Sequence, residues 1–354
     1  MKRAGYATAC IGKWHLGGQG YGPNAQGFDV VFAGRANTPP SATEGGKGEY
    51  ELTERAEQFI AEHRDRPFFL YLPHNNPHIP LAAKPELIER NREAFNPVYA
   101  AAIETLDDAV GRLLARVDAL GLRARTIVLF TSDNGGLHVP EGREDAPTHN
   151  TPFRAGKGFL YEGGLRVPLI VRWPGRVRPG VVTATPVINT DLMPTLLELV
   201  GAAAASGLDG VSYARLLTGQ GRAPTRPFFW HFPHYNNQGG RPGGAVRDGD
   251  WKLIEFYDDG HVELYNLARD PSETTDLTAR EPRRAERMKA QLTDWRKAMG
   301  AQENKPNPNF DAALFKAIYL DTDASKLKPE ATAAAMTPKL RAWRQAIDAA
   351  APRN

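Results

Sequence analysis

Short apolar segments alternate with amphipathic ones in the first 200 residues, and this alternation constrains the fold more than any other feature. Apolar runs of this length predict strands buried on both faces. Apolar residues at helical spacing predict helices between them. The predicted strands lie at 67–72, 126–131 and 168–173, and the predicted helices at 49–64, 97–120 and 191–200. Alternating strands and helices pack as a sheet layered by helices, so the sequence predicts an α/β fold.

A second, smaller domain is predicted after residue 222. Alanine, glycine, serine and proline accumulate over 201–227, as they do at boundaries between structural units. Segments 251–256 and 261–266 then flank the turn 257–260, which predicts a β-hairpin, and 282–299 predicts a helix. The predicted organisation is an α/β domain at 1–222, an α+β subdomain at 223–300 and a peripheral helical tail at 301–354.

Composition excludes several classes of protein. Basic residues number 44 and acidic residues 41, and the net charge of +3 is too small to predict nucleic-acid binding. One cysteine excludes an internal disulfide framework and a cysteine-rich zinc site. No apolar run approaches the ~20 residues that cross a bilayer, so no membrane span is predicted.

The segment 132–136, Ser-Asp-Asn-Gly-Gly, directly follows the strongest predicted strand. Ligands of open α/β sheets gather beyond the carboxyl ends of strands. Oxygens of Asp133 and Asn134 suit Ca²⁺ or, less well, Mg²⁺. The same residues also favour an ordinary turn, so the segment predicts either a metal site or a turn.

Lys13 and His15 lie two residues apart in the segment Gly12–His15. In an extended segment both side chains would face the same way. A cation beside an imidazole suits an anionic substrate and proton transfer to a leaving group. The alternative is a pair of solvated side chains beside a packed Trp14.

The proline-rich segment 72–80 follows a predicted strand and carries His74 and His78. Proline restricts the backbone, so these imidazoles suit a site, although an exposed loop explains them equally well. His231 and His234 likewise suit either a pocket or the end of an aromatic strand.

Two further residues have chemistry that their neighbours limit. Lys157 lies between glycines, but the segment lacks the G-x-x-x-x-G-K-[ST] spacing, which excludes a nucleotide P-loop. Cys10 has apolar neighbours, and this context favours a buried structural cysteine over a nucleophile.

Several of these segments, taken in their order along the chain, resemble the type I sulfatases of the alkaline phosphatase superfamily. The resemblance covers about residues 4–300 and includes a match to that family's second signature at 5–17. The matching segments are GYATACIGKWHLG at 5–17, HIP at 78–80, SDNG at 132–135, GKG at 156–158, YEGGLRVP at 161–168, DLMPTL at 191–196 and RDGDWKL at 247–253. The resemblance implies an alkaline-phosphatase-like mixed sheet layered by helices, with a smaller C-terminal α+β subdomain.

The implied reaction is the hydrolysis of a sulfate ester, R–O–SO₃⁻, to an alcohol and sulfate. The substrate would be a sulfated small molecule or carbohydrate. By resemblance, Asp133 and Asn134 would be two of the Ca²⁺ ligands. Lys13 and Lys157 would bind sulfate oxygens and stabilise the negative charge during transfer.

The resemblance also gives roles to three histidines. His15 would orient or deprotonate the hydrated formylglycine aldehyde that serves the family as nucleophile, and His78 would assist protonation of the leaving group. His234 would contact substrate.

The sequence departs from the family pattern at its beginning. Family members first supply a strand with paired Asp metal ligands and then a Cys or Ser, in a C/S-x-P-S-R-like motif, that becomes formylglycine. Neither element occurs here, and Cys10 has no Pro or Arg at the needed offsets. We therefore expect a sulfatase that lacks its N-terminal portion, is inactive alone and binds Ca²⁺ weakly. Complete family members are typically exported, and this chain shows no signal peptide that would indicate a compartment.

Two alternatives remain open on the sequence. One is a phosphodiesterase or phosphonate hydrolase of the same superfamily. The other is a protein without catalysis that keeps the pocket and binds sulfated glycans. The oligomeric state is not indicated by any motif.

Overall fold

The structure, a computed structural model, describes residues 1–34, 46–142, 144–203 and 206–350. The chain divides into two units, and each is assembled from two stretches of sequence. Unit 1 comprises Met1–Phe130 and Ile170–Pro224, and unit 2 comprises Thr131–Leu169 and Thr225–Asn354. The domain boundaries expected at 222 and 300 remain a prediction.

A three-stranded parallel sheet forms the centre of unit 1. Strand β1 (Ala7–Ile11) lies between β2 (Val30–Phe32) and β3 (Phe68–Tyr71) and is parallel to both. Every residue of β1 is buried, because it is the middle strand and helices cover the sheet. The strand predicted at 67–72 is confirmed by β3.

Helices pack on this sheet through the apolar faces that their sequences predict. Helix α1 (Glu49–Glu62) buries Leu52, Ala56 and Phe59, which pack with Ala7, Ala9 and Ile11 of β1. Their spacing of four and three residues places them on one side of a helix. The other helices of unit 1 are α2 (Pro85–Arg90), α3 (Pro97–Ala119), α5 (Leu192–Leu199) and α6 (Ala214–Leu217). The helices predicted at 49–64, 97–120 and 191–200 are thus confirmed.

The start of α3 shows how the sequence sets a helix end. Asn96 Oδ1 accepts hydrogen bonds from the backbone N–H groups of Val98 and Tyr99, both at 3.2 Å. These donors have no partner inside the helix, so an asparagine cap stabilises its first turn. Pro97 occupies the first helical position, where its missing N–H costs nothing.

A two-stranded sheet joins β4 (Val128–Thr131) to β5 (Leu169–Arg172). Both predicted strands exist, but the prediction that 168–173 is buried is wrong for its first half. Leu169 is 36% and Ile170 60% exposed. These two successive side chains point to opposite faces of the strand, so neither face is covered at this end of β5. Apolar runs identify a strand but not what packs on its faces.

Unit 2 is built on a four-stranded antiparallel sheet. Its strands are β6 (Phe228–Phe232), β7 (Gly243–Asp248), β8 (Trp251–Phe256) and β9 (Val262–Asn266), in that order across the sheet. Strands β8 and β9 form the predicted hairpin. Its helices are α4 (Glu162–Leu165), α7 (Pro282–Ala298), α8 (Ala312–Phe315) and α9 (Ala333–Ala350).

Helix α7 packs on one face of this sheet. Met288 and Leu292 are buried against Val246, Leu253 and Leu264. The helix predicted at 282–299 is therefore confirmed together with its apolar stripe. In the described ranges, no helix has the length and apolar character needed to cross a membrane. The parallel strands layered by helices in unit 1 confirm the predicted α/β class.

Candidate functional site

In unit 1, the loop that carries Lys13 lies beside the loop that carries His78. Lys13 donates its backbone N–H to Pro73 O at 2.9 Å, because the parallel strands β1 and β3 end at the same sheet edge. Strand β1 ends at Ile11, and His15 has a φ of 45°. The expected alternation of a strand therefore does not continue to Lys13 and His15. Lys13 is half-buried and His15 is exposed.

A buried carboxylate anchors the His78 loop. Glu49, the first residue of α1, is 0% exposed. Its Oε1 accepts from the backbone N–H groups of Asn75 and Asn76 at 2.8 and 2.7 Å, and its Oε2 lies 2.7 Å from His74 Nδ1. A carboxylate at a helix N-terminus is also favoured by the helix dipole. No sequence motif marks Glu49 as functional, since it lies one turn before the apolar stripe of α1.

The end of this loop is fixed by side chains as well. The buried Lys47 donates its ammonium to Ile79 O at 2.6 Å. His78 Nδ1 lies 2.6 Å from the same carbonyl oxygen. Since a carbonyl only accepts, Nδ1 carries a proton, and Nε2 is the nitrogen that changes protonation state. This tautomer suits a histidine that exchanges a proton through Nε2.

In unit 2, Asp133 and Asn134 follow β4 in a turn held by their own hydrogen bonds. Asp133 Oδ1 accepts from Asn134 N at 3.0 Å, and Ser132 Oγ donates to Asn134 O at 2.9 Å. The next residue, Gly135, approaches another backbone so closely that a Cβ there would lie 1.7 Å from Gly163 O. Only glycine fits this approach. The turn expected at 132–136 is therefore present, and the metal role of its side chains remains a prediction.

The loop that carries Lys157 is joined to this turn. Lys157 N donates to Gly136 O at 3.1 Å. The Asn150 side chain accepts from Gly136 N at 2.9 Å and donates to the carbonyls of Gly136 and Ala155 at 2.8 and 2.9 Å. One amide side chain thus fixes both loops, and the structure brings the segments of Asn134 and Lys157 together.

The segment that carries His234 lies next to the Lys157 loop. Asn236 donates from Nδ2 to Gly158 O at 2.7 Å, one residue beyond Lys157. His234 itself is exposed, and its ring packs edge-on against Phe232 with the centroids 5.7 Å apart. Unit 2 therefore groups the segments of Asn134, Lys157 and His234, whereas Lys13, His15 and His78 lie in unit 1.

The residues available for a metal ion were tested by their donor chemistry. In the described parts of the chain, no group of three or more His, Cys, Asp or Glu residues is placed to hold a metal. Asp133 and Asn134 supply oxygens of the kind that Ca²⁺ prefers, but Ca²⁺ takes about six to eight of them. This pair therefore supplies only part of the oxygen ligands that a Ca²⁺ ion takes.

Cys10 lies inside β1 and is 1% exposed. Burial raises the pKa of its thiol to about 11. The thiolate is the nucleophilic form, so this cysteine is inert near neutral pH. The interpretation of Cys10 as a buried structural residue is confirmed.

A buried ion network next to Gly163 was not predicted from the sequence. Lys252 in β8 is fully buried, and its Nζ lies 3.0 Å from Glu162 Oε1 and 2.9 Å from Glu273 Oε1. Glu273 Oε2 also accepts from Glu162 N at 2.6 Å. Glu162 precedes Gly163, so the network holds the backbone on which Gly135 packs. The available signal was a lysine between two apolar residues of a strand, Trp251 and Leu253.

Comparison with known families gives two matches that overlap along the chain. The Sulfatase family matches residues 1–202, and the family described as "N-sulphoglucosamine sulphohydrolase, C-terminal" matches residues 154–298. A sulfatase of Formosa agariphila is 38% identical over 248 residues, which is 62% of this chain and 43% of that protein. Human arylsulfatase A is 36% identical over 225 residues, which is 63% of this chain and 42% of that protein. The chain thus spans less than half the length of these two relatives.

A solved structure gives the same result for the fold. The crystal structure of Ps i-CgsB superimposes with a TM-score of 0.71 at 26% identity, over 82% of this chain and 71% of that one. The alkaline-phosphatase-like arrangement expected from the sequence is confirmed. The chain belongs to the sulfatase family of the alkaline phosphatase superfamily, and the named members of this family are sulfuric ester hydrolases.

Proposed function

We propose that this chain provides the sulfate-binding part of a sulfate ester hydrolase. The observation that supports this most directly is the way Asn150 and Gly136 hold the Lys157 loop against the Asn134 turn. A cation placed by fixed backbone, rather than by a flexible loop, is pre-organised for an anion.

The roles of individual residues follow from their chemistry and from family membership. Lys13 and Lys157 bind sulfate oxygens, and their charge stabilises the negative charge that spreads over the sulfuryl group. His78 exchanges a proton with the leaving alcohol through Nε2, since its Nδ1 is held by Ile79 O. His15 would orient or deprotonate a hydrated formylglycine nucleophile.

The metal and substrate assignments rest on the residues that follow β4 and β6. Asp133 and Asn134 would be two ligands of a Ca²⁺ ion, whose charge would stabilise negative charge on the sulfuryl group, and this chain alone would bind Ca²⁺ weakly. His234 contacts substrate. Weak affinity follows from the single carboxylate, because Ca²⁺ affinity rises with the number of charged ligands.

A sulfated carbohydrate is the substrate class that we propose. Ps i-CgsB, whose fold this chain shares, has been crystallised in complex with k-i-k-neocarrahexaose. In this chain the exposed His234 lies in a segment that Asn236 joins to the Lys157 loop, which places a polar side chain next to the segment proposed to bind sulfate.

Replacing Lys157 with alanine should weaken the binding of inorganic sulfate about 10- to 100-fold. The loss of one charge-assisted hydrogen bond, about 1.5–3 kcal/mol, sets this range. Isothermal titration calorimetry of the 354-residue chain with sodium sulfate measures it. Lys297→Ala is the matched control, because Lys297 is an exposed lysine at the end of α7. Equal affinities of the Lys157 and Lys297 variants would contradict the proposed role of Lys157.

The purified 354-residue chain should hydrolyse 4-nitrophenyl sulfate no faster than the buffer does. Its sequence contains no C/S-x-P-S-R-like motif, and its single cysteine is buried as a thiol. Release of 4-nitrophenol, followed by absorbance, measures turnover. Sustained turnover above a heat-denatured control would show that this chain carries a nucleophile of its own.

A phosphonate or phosphodiester hydrolase is the second candidate. A phosphonate monoester hydrolase of Silicibacter pomeroyi shares the fold at 17% identity, with a TM-score of 0.61. Calorimetry with phenylphosphonate beside sulfate separates the two functions. Binding of phenylphosphonate that is tighter than binding of sulfate would favour the second candidate. Binding of a sulfated sugar without its hydrolysis would favour a glycan-binding protein.

A further inference from the structure

Residues 302–348 lie beyond both family matches, the second of which ends at residue 298. They are nevertheless well packed within unit 2. Their buried apolar residues are Ile318, Ala324, Ala333, Met336, Leu340, Trp343 and Ile347. A segment that lies outside both family matches and is this well packed is a candidate for a property that varies among family members. We call residues 302–348 the C-terminal segment.

The C-terminal segment holds the strand end that precedes His234. The Gln302 carbonyl lies 2.8 Å from His231 Nε2, and Asn304 Nδ2 donates to Pro233 O at 2.8 Å. The ring of Tyr319 packs against that of Tyr235, with the centroids 5.3 Å apart. His234 therefore lies between two residues, Pro233 and Tyr235, that this segment contacts.

The same segment holds the loop that follows His234. Arg344 of α9, which is 8% exposed, donates from Nη1 to Asn237 O at 2.6 Å. Asp348 fixes the same guanidinium through two hydrogen bonds of 2.9 and 2.6 Å. Trp343 packs on Gly239 so closely that a Cβ there would lie 2.6 Å from Trp343 Cζ2. Glycine at 239 is thus required by the contact with α9.

The loop after His234 also has hydrogen bonds within itself and to the segment that carries Lys157. Asn236 Oδ1 accepts from the backbone N–H groups of Gln238 and Gly240, both at 3.0 Å, while its Nδ2 donates to Gly158 O at 2.7 Å. Glu141 accepts from the side chains of Asn237 and Gln238, both at 2.8 Å. Residues 234–240 are therefore fixed on one side by the Lys157 loop and on the other by the C-terminal segment.

We propose that the C-terminal segment is a specificity-determining element, in which Arg344 and Asn304 position the His234 loop for the sugar part of a sulfated saccharide. This inference rests on the proposed function. Asn150 and Gly136 hold the Lys157 loop independently of Arg344 and Asn304, so the effect of these two residues falls on the sugar rather than on the sulfate. They are positioning residues and act through residues 234–240.

The test compares inorganic sulfate with a panel of sulfated saccharides, using calorimetry on the full 354-residue chain. The panel contains glucosamine 6-sulfate, galactosamine 6-sulfate and a carrageenan hexasaccharide. Arg344→Met and Asn304→Ala should each lower, by about tenfold, the affinity for the saccharide that wild type prefers. Each variant should keep its affinity for inorganic sulfate within about twofold of the wild-type value. Arg344→Lys should recover part of the loss. The matched control, Arg341→Met, removes an exposed arginine from the same helix and should change neither affinity.

Hydrogen exchange of the peptide that spans 234–240 gives a readout without ligand. It should quicken in Arg344→Met and Asn304→Ala but not in Arg341→Met. If Arg344→Met fails to fold, Asn304→Ala still decides, because Asn304 is exposed and its loss leaves the core intact. Unchanged saccharide affinity in Asn304→Ala, or binding of sulfate by wild type without preference for any saccharide, would overturn the inference. Absence of sulfate binding by wild type would instead overturn the proposed function on which it rests.

Discussion

Replacing Lys252 with methionine should lower the free energy of unfolding by about 3–5 kcal/mol, the cost of removing one partner from a buried ion network. Lys252 and Glu273 are 0% exposed, and the Glu162 side chain is 4% exposed. Without the ammonium, two buried carboxylates face each other, with Arg247 3.7 Å from Glu162. Burial already raises the pKa of Glu273, while attraction to Lys252 opposes that rise. Urea denaturation followed by tryptophan fluorescence measures the change.

The control and the compensating variant separate burial from charge. Lys339→Met removes a 64%-exposed lysine that pairs with Glu330, and it should cost no more than about 1 kcal/mol. The double variant Lys252→Met/Glu273→Gln removes one charge of each sign, so it should be more stable than Lys252→Met alone. A Lys252→Met protein as stable as the Lys339→Met protein would show that the network does not hold this part of unit 2.

Lowering the pH from about 7.5 to about 4 should cost the protein about 3 kcal/mol of stability through His138 alone. His138 is 4% exposed, its Nε2 donates to Ala324 O at 3.0 Å, and it packs edge-on against Phe159. Burial lowers the pKa of this imidazole to about 4, although its hydrogen bond to Ala324 opposes the shift. Between pH 6.5 and 4 the unfolded chain therefore binds more protons than the folded one. Stability falls as the pH falls through this window.

The His138→Gln variant isolates this contribution, because glutamine keeps a donor for Ala324 O and does not titrate. The difference in unfolding free energy between wild type and variant should change by about 3 kcal/mol across the window, whatever its value at pH 7.5. His149→Gln is the matched control, because it removes an exposed imidazole. If the unfolding free energies of wild type and His138→Gln changed in parallel with pH, the lowered pKa of His138 would be contradicted.

Segments with strong periodicity were predicted well because their signal is local. The apolar stripe of α1 and the turn between β8 and β9 each depend on residues close together in the chain. The exposure of β5 was missed because it depends on what packs on the faces of the strand, which apolar content does not encode. Ordered motifs likewise identified the family, since residue types such as those at 161–168 are set by local chemistry.

The contacts that position the candidate residues could not be predicted in the same way. Glu49 lies 26 residues from Asn75, and Lys252 lies 90 residues from Glu162, so no local pattern joins them. Each looked ordinary in sequence, the first as the start of a helix and the second as part of a strand. Burial of the chain around them turned both into anchors, because a buried charge is stable only beside its partners.

The sequence by itself determined the α/β class, the family and the residue types available to bind a sulfate ester. It did so because helical periodicity, strand periodicity and the residue types of ordered motifs are properties of short segments. Tertiary structure decided which segments meet: Asn150 joins the Asn134 turn to the Lys157 loop, and Arg344 reaches the loop after His234. Those contacts close over 14 and 107 residues, and only the packed fold brings such distant donors and acceptors within 3 Å.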